Sequence, residues 1–575
     1  MSTAGRESVN WLSRWANNYH AWKQDTENGK TVFRRPLGLV ESSFDADGTD
    51  CGGRADMNGL YTLEIRHTLS KIELREFISL AWTAVCLQHV LLQSKVVDSE
   101  DGKRRAFVIE VPDSYEEVVQ RTADSIVWLD DYYNQVDDED LYKHAINVSR
   151  IVKPDSCLSR LHVLPLVPLP NGNFKLQFLL IMAHQISDGL SSANWISHFL
   201  RLLNTDIRTL RAEISTHLHP KQIQSRLPPA QEDLYPRITG SKARQRWFWA
   251  LIRVLRHLNK PLPPTFANPL FREKRLTSPI PLPPTYASVF DYTPSTRPPL
   301  NSGHITVALS PRASARLISL CRTANISIGA GCFALSGLAM MELYERRYPD
   351  IPASRRPAFC ASFPLNPRAF FGRPTGAESC MLAFSEGIVM PFLPSDLSLE
   401  GRFKLVGKHA NRELKMYQKR QRTDEAEAAL LPHSSRRLLA NGYIAWTERM
   451  ESRWRADMKT GADPQGELRT AANSYGAKAT CGVSSMGSMA GLFREGKYDF
   501  EDVGRGVKRF VADYRSTRIG VRARDDEFLV GSSSDAKGIV GFGVSYDLSA
   551  IDEEAAGAWA ERVGELLEEG ERSRL

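Results

Sequence analysis

Residues 183–190, AHQISDGL, place a histidine after an apolar run, with aspartate and glycine four and five positions later. The preceding run FKLQFLLIMA (174–183) is typical of a central strand. The following LSSANWISHFLRLL (190–203) has apolar residues, beginning with Leu190, at helical spacing. His184 therefore lies at a predicted strand-to-helix junction, where α/β sheets present functional groups. A neutral imidazole, with an ordinary pKa of about 6.5, is a suitable base for a substrate hydroxyl or amine.

The alternative for His184 is an ordinary buried histidine bonded to the backbone. With thirteen histidines in the chain, His-x-x-x-Asp-Gly arises by chance in roughly one such chain in twenty. The required strand before it and helix after it make a coincidence rarer. Asp188, one turn on, can hold the loop through an arginine pair, and Gly189 suits a tight turn or a close approach.

HQISDG resembles the His-x-x-x-Asp-Gly signature of the coenzyme A-dependent acyltransferase superfamily, which includes chloramphenicol acetyltransferase and peptide-synthetase condensation domains. FPLNPR (363–368), VSSMG (483–487) and GFGVSYDLSAID resemble further segments of that superfamily. The N-terminal NYHAWKQ and FRRPLGLVE, with the proline-rich crossover, are most similar to fungal trichothecene 15-O-acetyltransferase-like enzymes.

This resemblance implies two lobes with a tunnel between them and His184 midway along it. The histidine would deprotonate an alcohol that attacks the thioester of acyl-coenzyme A directly. Asp188 and Gly189 would be structural, and Arg368 would pair with Asp188. Ser484 or Ser485 would donate to the oxyanion, although both could equally be ordinary strand-end hydroxyls.

Two departures limit the resemblance. The plant-type enzymes carry Asp-Phe-Gly-Trp-Gly near the C-terminus, whereas the nearest string here is DFEDVGRG (499–506). Contacts to coenzyme A are therefore not transferred. The family often doubles the histidine, whereas Ala183 precedes His184 here. One imidazole suffices for the proposed chemistry.

The chain of 575 residues is long enough for two domains. Its pattern of strands, helices and hairpins occurs twice, which predicts an α/β (α+β) fold of two similar lobes, each a mixed β-sheet flanked by helices. We expect an N-terminal lobe at 1–215, a basic helix and proline-rich linker at 216–300, and a C-terminal lobe at 301–575.

Individual elements are predicted with the same rules. They are helices at 68–93 (with Ser70 as N-cap), 190–203, 311–327, 328–348 and within 401–460; strands at 106–112, 160–169, 174–183, 304–310, 358–368 and 480–487; a hairpin around Lys537-Gly538; and a closing helix with Trp559, Val563 and Leu566 inward.

Other signals exclude several classes of protein. The eight cysteines are scattered without a C-x-x-C pair, which favours free thiols over disulfides or zinc. DADGTD (45–50) lacks the glutamate of an EF-hand loop and is interpreted as a polar turn. H-E-x-x-H, P-loop and G-x-S-x-G motifs are absent from the sequence.

A basic segment at 241–260 predicts a surface helix. Its apolar positions are Trp247, Leu251, Val254, Leu255 and Leu258, opposite Arg246, Arg253, Arg256 and Lys260. Packing on the protein is the main expectation. A peripheral membrane contact through this segment is a minor alternative, and no nucleic-acid partner is expected.

The sequence therefore predicts a cytoplasmic, monomeric O-acyltransferase that acetylates a small secondary metabolite such as a trichothecene-type sesquiterpenoid. Acetyl-coenzyme A would be a co-substrate, with no permanently bound cofactor and no metal. One alternative is a condensation-type enzyme whose acyl donor is bound to a carrier protein. The other is a non-catalytic binding protein of the same fold.

Overall fold

The computed structural model describes residues 11–99, 104–258, 263–293, 300–385, 387–418, 434–456, 458–468 and 479–568. Lys260 and parts of the predicted linker and of the 401–460 helices lie outside the described residues. The strands are β1 Lys23–Glu27, β2 Lys30–Pro36, β3 Met57–His67, β4 Lys95–Asp98, β5 Arg105–Glu110, β6 Ile126–Trp128, β7 Ser159–Val163, β8 Val167–Pro168, β9 Phe174–Met182, β10 Ser302–Ala308, β11 Phe359–Ser362, β12 Pro364–Leu365, β13 Ala383–Phe384, β14 Ile388–Met390, β15 Cys481–Ser488, β16 Phe510–Val521, β17 Phe528–Ser534 and β18 Val540–Asp547.

The helices are α1 Leu39–Asp50, α2 Lys71–Gln88, α3 Tyr115–Ala123, α4 Asp138–Ala145, α5 Gly189–Leu202, α6 Ile207–His217, α7 Pro220–Ser225, α8 Lys242–His257, α9 Pro311–Ala324, α10 Ile328–Arg347, α11 Leu399–Gln418, α12 Ser435–Arg453, α13 Glu501–Gly504 and α14 Glu553–Glu565. No single helix of the described ranges is long and apolar enough to cross a membrane, although α9 and α10 together, bent by 111°, reach that length and composition.

Two lobes are built on separate hydrophobic cores. In the N-terminal lobe, α2 and α5 pack against a sheet of order β16-β3-β9-β7-β6, beside a smaller sheet β1-β2-β5-β4. In the C-terminal lobe, α10 and α14 pack against the sheet β10-β18-β17-β15-β11-β14. The predicted fold class of two lobes with mixed sheets and flanking helices is confirmed.

The central strand β9 explains the position of the motif that follows it. It pairs with β3 on one side and β7 on the other, and seven of its nine residues are buried. A strand covered on both faces is expected to be almost continuously apolar, as FKLQFLLIM is.

One strand from the C-terminal part of the sequence belongs to the sheet of the N-terminal lobe. β16 pairs along its whole length with β3, from Phe510 opposite His67 to Val521 opposite Met57. A segment of the predicted C-terminal lobe therefore completes the N-terminal sheet. Other lobe boundaries remain a prediction.

Several local predictions are confirmed. Ser70 caps α2, with its Oγ accepting from the Glu73 amide at 3.3 Å. Gly172 and Gly538, each at φ 79°, form the two predicted turns, where a left-handed backbone favours glycine. Trp559 and Val563 of α14 and Leu566, the residue that follows it, are fully buried as predicted, and all eight cysteines are free.

Other local predictions are wrong. DADGTD is not a turn but the C-terminal half of α1. The single strand predicted at 358–368 is two short strands followed by a 3₁₀ turn at Pro367–Phe370. Leu190 is 36% exposed, because it occupies the first turn of α5 on the outer side.

The helix α8 buries a different face from the predicted one. Its buried residues are Phe248, Trp249, Ile252 and Arg256. Trp249 packs edge-on against Trp11 and Trp15, and a carbonyl oxygen accepts from the Arg256 guanidinium. The face that packs on the protein is therefore the one with these aromatic residues and the hydrogen-bonded arginine. The face predicted to be buried is largely outside, with Trp247 and Leu258 64% and 66% exposed.

Candidate active site

The motif occupies the turn between β9 and α5. The Ser187 amide donates to the His184 carbonyl at 3.2 Å, which closes the chain reversal immediately after the strand. Asp188 is the N-cap of α5, and its Oδ1 accepts from the Ser191 amide at 2.8 Å. The spacing from histidine to aspartate is thus the length of one turn between a buried strand and a capped helix.

The imidazole of His184 is held on one face and one edge. The Phe44 ring is stacked on it, with centroids 3.9 Å apart and planes 5° from parallel. The Cys380 sulfur lies 3.8 Å from Nδ1. Among the described residues no hydrogen bond to Nε2 is found besides the Nδ1 contact with Cys380, and the residue is half-buried. The edge that carries Nε2 is therefore the one available to a substrate.

Removal from water sets the protonation state of this ring. Desolvation lowers the pKa of His184 to about 4, and the positive charge of Arg524 acts in the same direction. Backbone hydrogen bonding and the charge of Asp188 oppose the shift without cancelling it. The imidazole is neutral at physiological pH and can accept a proton.

Further side chains pack behind the Phe44 ring that is stacked on the histidine. The Arg524 guanidinium lies 5.3 Å from the centroid of the Phe44 ring, and Phe44 in turn covers His184. Asp47, three residues after Phe44 on α1, accepts from Arg524 Nε at 2.9 Å. Burial raises the pKa of Asp47, but three neighbouring guanidinium groups outweigh it and hold that pKa below its ordinary value.

Sequence reasoning missed this support. Phe44 and Asp47 lie on α1, part of which was interpreted as a polar turn, and Arg524 and Cys380 belong to segments without a recognisable motif. The available signal was at the start of α1, where the Glu41 carboxylate accepts from the Gly38 amide at 2.7 Å. A glutamate three residues after the cap position is a helix-start pattern.

Asp188 and Arg368 are brought together as expected. Arg368 Nη2 donates to Asp188 Oδ2 at 2.8 Å, with the two side chains 8% and 5% exposed. The same Oδ2 accepts from the Met381 amide at 3.1 Å, and Oδ1 accepts from the Ser191 hydroxyl at 2.9 Å. Each carboxylate oxygen is satisfied, as a buried charge requires, so this ion pair ties the motif to the 367–381 segment.

Gly189 lies where another segment approaches closely. A Cβ atom at this position would be 2.7 Å from the Met486 sulfur, on β15. The backbone of Gly189 is not in the left-handed region. Close approach, one of the two expectations for this glycine, therefore explains its position.

Ser484 and Ser485 lie on β15 and are not brought into contact with His184 in the described part of the chain. Ser484 contributes its carbonyl oxygen, which accepts from the Ser532 hydroxyl at 3.2 Å. The Ser485 hydroxyl accepts from the Gly487 amide at 3.4 Å and lies close to Gly329 at the start of α10. An oxyanion role for either serine remains a prediction.

None of the three cavities identified in the described residues is lined by His184, so the tunnel also remains a prediction. Among the same residues, no cluster of three or more histidine, cysteine, aspartate or glutamate side chains could hold a metal ion. The chemistry available at the site is that of a neutral imidazole in a partly dry setting.

Comparison with solved structures identifies the fold. The trichothecene 15-O-acetyltransferase from Fusarium sporotrichioides is similar over 96% of this chain and 98% of its own, with a TM-score of 0.63 and 11% identity. This chain therefore has the overall fold of that acetyltransferase, two lobes of mixed sheet and flanking helices. At that identity the likeness concerns the fold alone.

Two weaker likenesses are to the first condensation domain of the calcium-dependent antibiotic synthetase, with a TM-score of 0.49 and 13% identity, and to the epimerization domain of tyrocidine synthetase B, with a TM-score of 0.48 and 12% identity. They cover 93% and 94% of this chain, and 96% and 98% of those chains. No protein-family model and no curated protein matches the sequence.

Proposed function

We propose that this protein is an O-acyltransferase that moves an acyl group, in the first instance acetyl, from coenzyme A to a hydroxyl of a small secondary metabolite. The observation that carries the proposal is the state of His184. Its ring is neutral and clamped by Phe44 and Cys380, while Nε2 is left without a partner.

In the proposed reaction, Nε2 of His184 accepts the proton of the acceptor hydroxyl as its oxygen attacks the thioester carbonyl carbon. A tetrahedral oxyanion forms and collapses with cleavage of the carbon–sulfur bond. The imidazolium then returns its proton to the departing thiolate, so the products are the ester and free coenzyme A. Proton transfer by a positioned imidazole contributes about 10²–10⁴-fold in rate.

The ion pair between Asp188 and Arg368 would fix the position of the turn that carries His184. Asp188 holds the start of α5 through Ser191 and anchors the turn to Arg368. Because the turn that carries His184 ends at Asp188, movement of this carboxylate would move the base. Asp188, Gly189 and Arg368 are therefore proposed as positioning residues, and Ser484 or Ser485 as an oxyanion donor that moves into place with substrate.

The acceptor is proposed to be a small hydrophobic alcohol of the trichothecene sesquiterpenoid type. The 15-O-acetyltransferase with which this chain shares its fold acts on that class. We further propose that the protein works as a monomer in the cytoplasm with acetyl-coenzyme A as a freely exchanging co-substrate.

The test is thiol release from acetyl-coenzyme A in the presence of a panel of terpenoid and polyketide alcohols. Wild type is compared with His184→Ala and with His219→Ala, a matched control at an exposed histidine. Acceptor-dependent release that collapses in the first variant and persists in the second supports the proposal. Release that survives His184→Ala, in a protein folded by circular dichroism, would overturn the mechanism.

The same assay separates the alternatives. Turnover of the coenzyme A thioester with no carrier protein present excludes a strict requirement for a carrier-bound donor. Turnover only with a carrier-loaded acyl group would identify a condensation-type enzyme. Tight binding of an acceptor without transfer from either donor would identify a binding protein of this fold.

A further inference from the structure

A cavity of about 160 Å³ lies beside α1, and its lining includes neither His184 nor Phe44. At water's share of ~30 Å³ per molecule in the liquid, it holds about five waters. Its walls come from residues 14–20, the α1 residues Asp45 and Thr49, the Arg104–Arg105 pair, and Trp454 just after α12. The cavity is strongly basic, with five arginines against three aspartates.

Two of these arginines face the same aromatic ring. The guanidinium carbon of Arg104 is 4.9 Å from the Tyr19 ring centroid, and that of Arg14 is 5.3 Å from it. Within the described residues neither guanidinium forms an ion pair or a hydrogen bond. Arg14 is only 6% exposed, and its Nε is buried with no partner.

Neighbouring charges are already engaged elsewhere. Arg105 pairs with Asp45 at 2.8 Å, and Arg453 pairs with Asp47 at 2.7 Å. Glu451, a carboxylate whose charge reaches Arg14, accepts from the Thr460 and Gly461 amides. None of these contacts includes Arg14 or Arg104.

Leaving two guanidinium groups together in a partly dry cavity is costly, because buried charges require partners. Burial, and after it the charge of Arg14, lower the pKa of Arg104 to about 10. Burial likewise lowers the pKa of Arg14. An oxyanion with two negative charges would offset both.

We propose that this cavity is a binding site for a phosphate monoester, held by Arg14 and Arg104, whose guanidinium groups both lie against the Tyr19 ring. Guanidinium groups bind phosphate oxygens through paired, charge-assisted hydrogen bonds. A phosphate monoester carries close to two negative charges at neutral pH, which matches the two unpaired arginines. Trp454 adds an aromatic wall for the group that bears the phosphate.

The phosphate could belong to the 3′-phosphate of coenzyme A or to another phosphorylated small molecule. Binding of inorganic phosphate itself requires neither turnover nor His184, so this inference stands apart from the proposed reaction. The site is nonetheless near the turn that carries the histidine, because Asp45 accepts from the Gln185 side chain at 3.2 Å.

The test uses isothermal titration calorimetry and thermal unfolding of the full chain with inorganic phosphate, coenzyme A and dephospho-coenzyme A. Wild type is compared with Arg14→Met, Arg104→Met and the exposed control Arg246→Met. Saturable phosphate binding that raises Tm, weakens at least about tenfold in both cavity variants and is unchanged in the control supports the proposal. Arg104→Gln, at a more exposed position, keeps the test available if Arg14→Met does not fold.

The two coenzymes then identify the source of the phosphate. Tighter binding of coenzyme A than of dephospho-coenzyme A, lost in Arg14→Met, assigns the 3′-phosphate to this cavity. Equal binding of the two, with phosphate binding retained, assigns the site to another phosphorylated molecule. The proposal is overturned by no saturable phosphate binding up to about 10 mM, or by binding that neither Arg14→Met nor Arg104→Met weakens.

Discussion

The turn that carries His184 and the cavity of Arg14 and Arg104 both adjoin α1, but they differ in whether their charged side chains have partners. At the turn, Asp188 has a guanidinium, an amide and a hydroxyl around its oxygens. In the cavity, two guanidinium groups share an aromatic ring and form no ion pair with a carboxylate of the described residues. A satisfied buried charge holds structure in place, whereas an unsatisfied one indicates a ligand.

The largest expected effect is at the turn. Replacement of His184 by alanine removes the proposed base, and we expect kcat/KM for acetyl transfer to fall by about 10²–10⁴-fold. In Arg14→Met we expect kcat at saturating acetyl-coenzyme A to stay within a few-fold of wild type, because this side chain touches none of the reacting groups, while KM for the coenzyme rises if its phosphate binds in the cavity. A loss of kcat in Arg14→Met as large as that in His184→Ala would contradict the distinction between the two regions.

Breaking the satisfied pair should cost much more stability than removing an unsatisfied charge. Asp188→Asn leaves Arg368 buried without its partner, and we expect the free energy of unfolding to fall by about 3–5 kcal/mol. Asp206→Asn is the matched control, since Asp206 caps α6 by accepting from two amides and forms no ion pair with an arginine of the described residues. Because asparagine caps a helix as well as aspartate does, this control should change the free energy of unfolding by less than about 1 kcal/mol.

The measurement is urea unfolding of the two aspartate variants beside Arg14→Met. Removing the unpartnered guanidinium should leave the stability of the unliganded protein unchanged or raise it, because an uncompensated buried charge is relieved. If Arg14→Met destabilises the protein as much as Asp188→Asn, the cavity arginines hold the fold and the comparison fails.

The pH dependence of kcat/KM tests the stack behind the histidine. With a pKa of about 4, the neutral base persists as pH falls and is lost near that value, below the ordinary histidine value of about 6.5. Arg524→Gln removes a positive charge that lowers this pKa, so the acid limb should move to higher pH. The prediction is contradicted if the acid limb of the wild-type kcat/KM profile has an apparent pKa of about 6.5, or if Arg524→Gln lowers that apparent pKa.

The smallest effect is expected on the exposed face of α8. Trp247 and Leu258 are exposed beside Arg246, an arrangement that also occurs at membrane surfaces. If this face binds anionic lipid, flotation with phosphatidylserine vesicles should decrease in Trp247→Ser and with added salt. Absence of flotation in wild type would exclude a membrane contact through this face of α8.

The sequence by itself determined the elements whose signals are local. The apolar run of β9, the Asn171-Gly172 turn, the Ser70 cap and the inner stripe of α14 depend on residues within a few positions of one another. The same holds for the strand–turn–helix around His184, since a buried strand followed by an aspartate N-cap has few other solutions. The Asp188–Arg368 pair is present as well, although Arg368 was assigned through resemblance and not through spacing.

The tertiary structure alone decided which distant groups surround these elements. Phe44, Cys380 and Arg524 meet around His184 although they are separated by more than a hundred residues of chain, and no periodic pattern records such contacts. The burial of Arg256 on α8 and the pairing of β16 at the edge of the N-terminal sheet also depend on contacts between distant segments. Packing between elements sets the partners of a side chain, whereas its own sequence neighbourhood sets only the element to which it belongs.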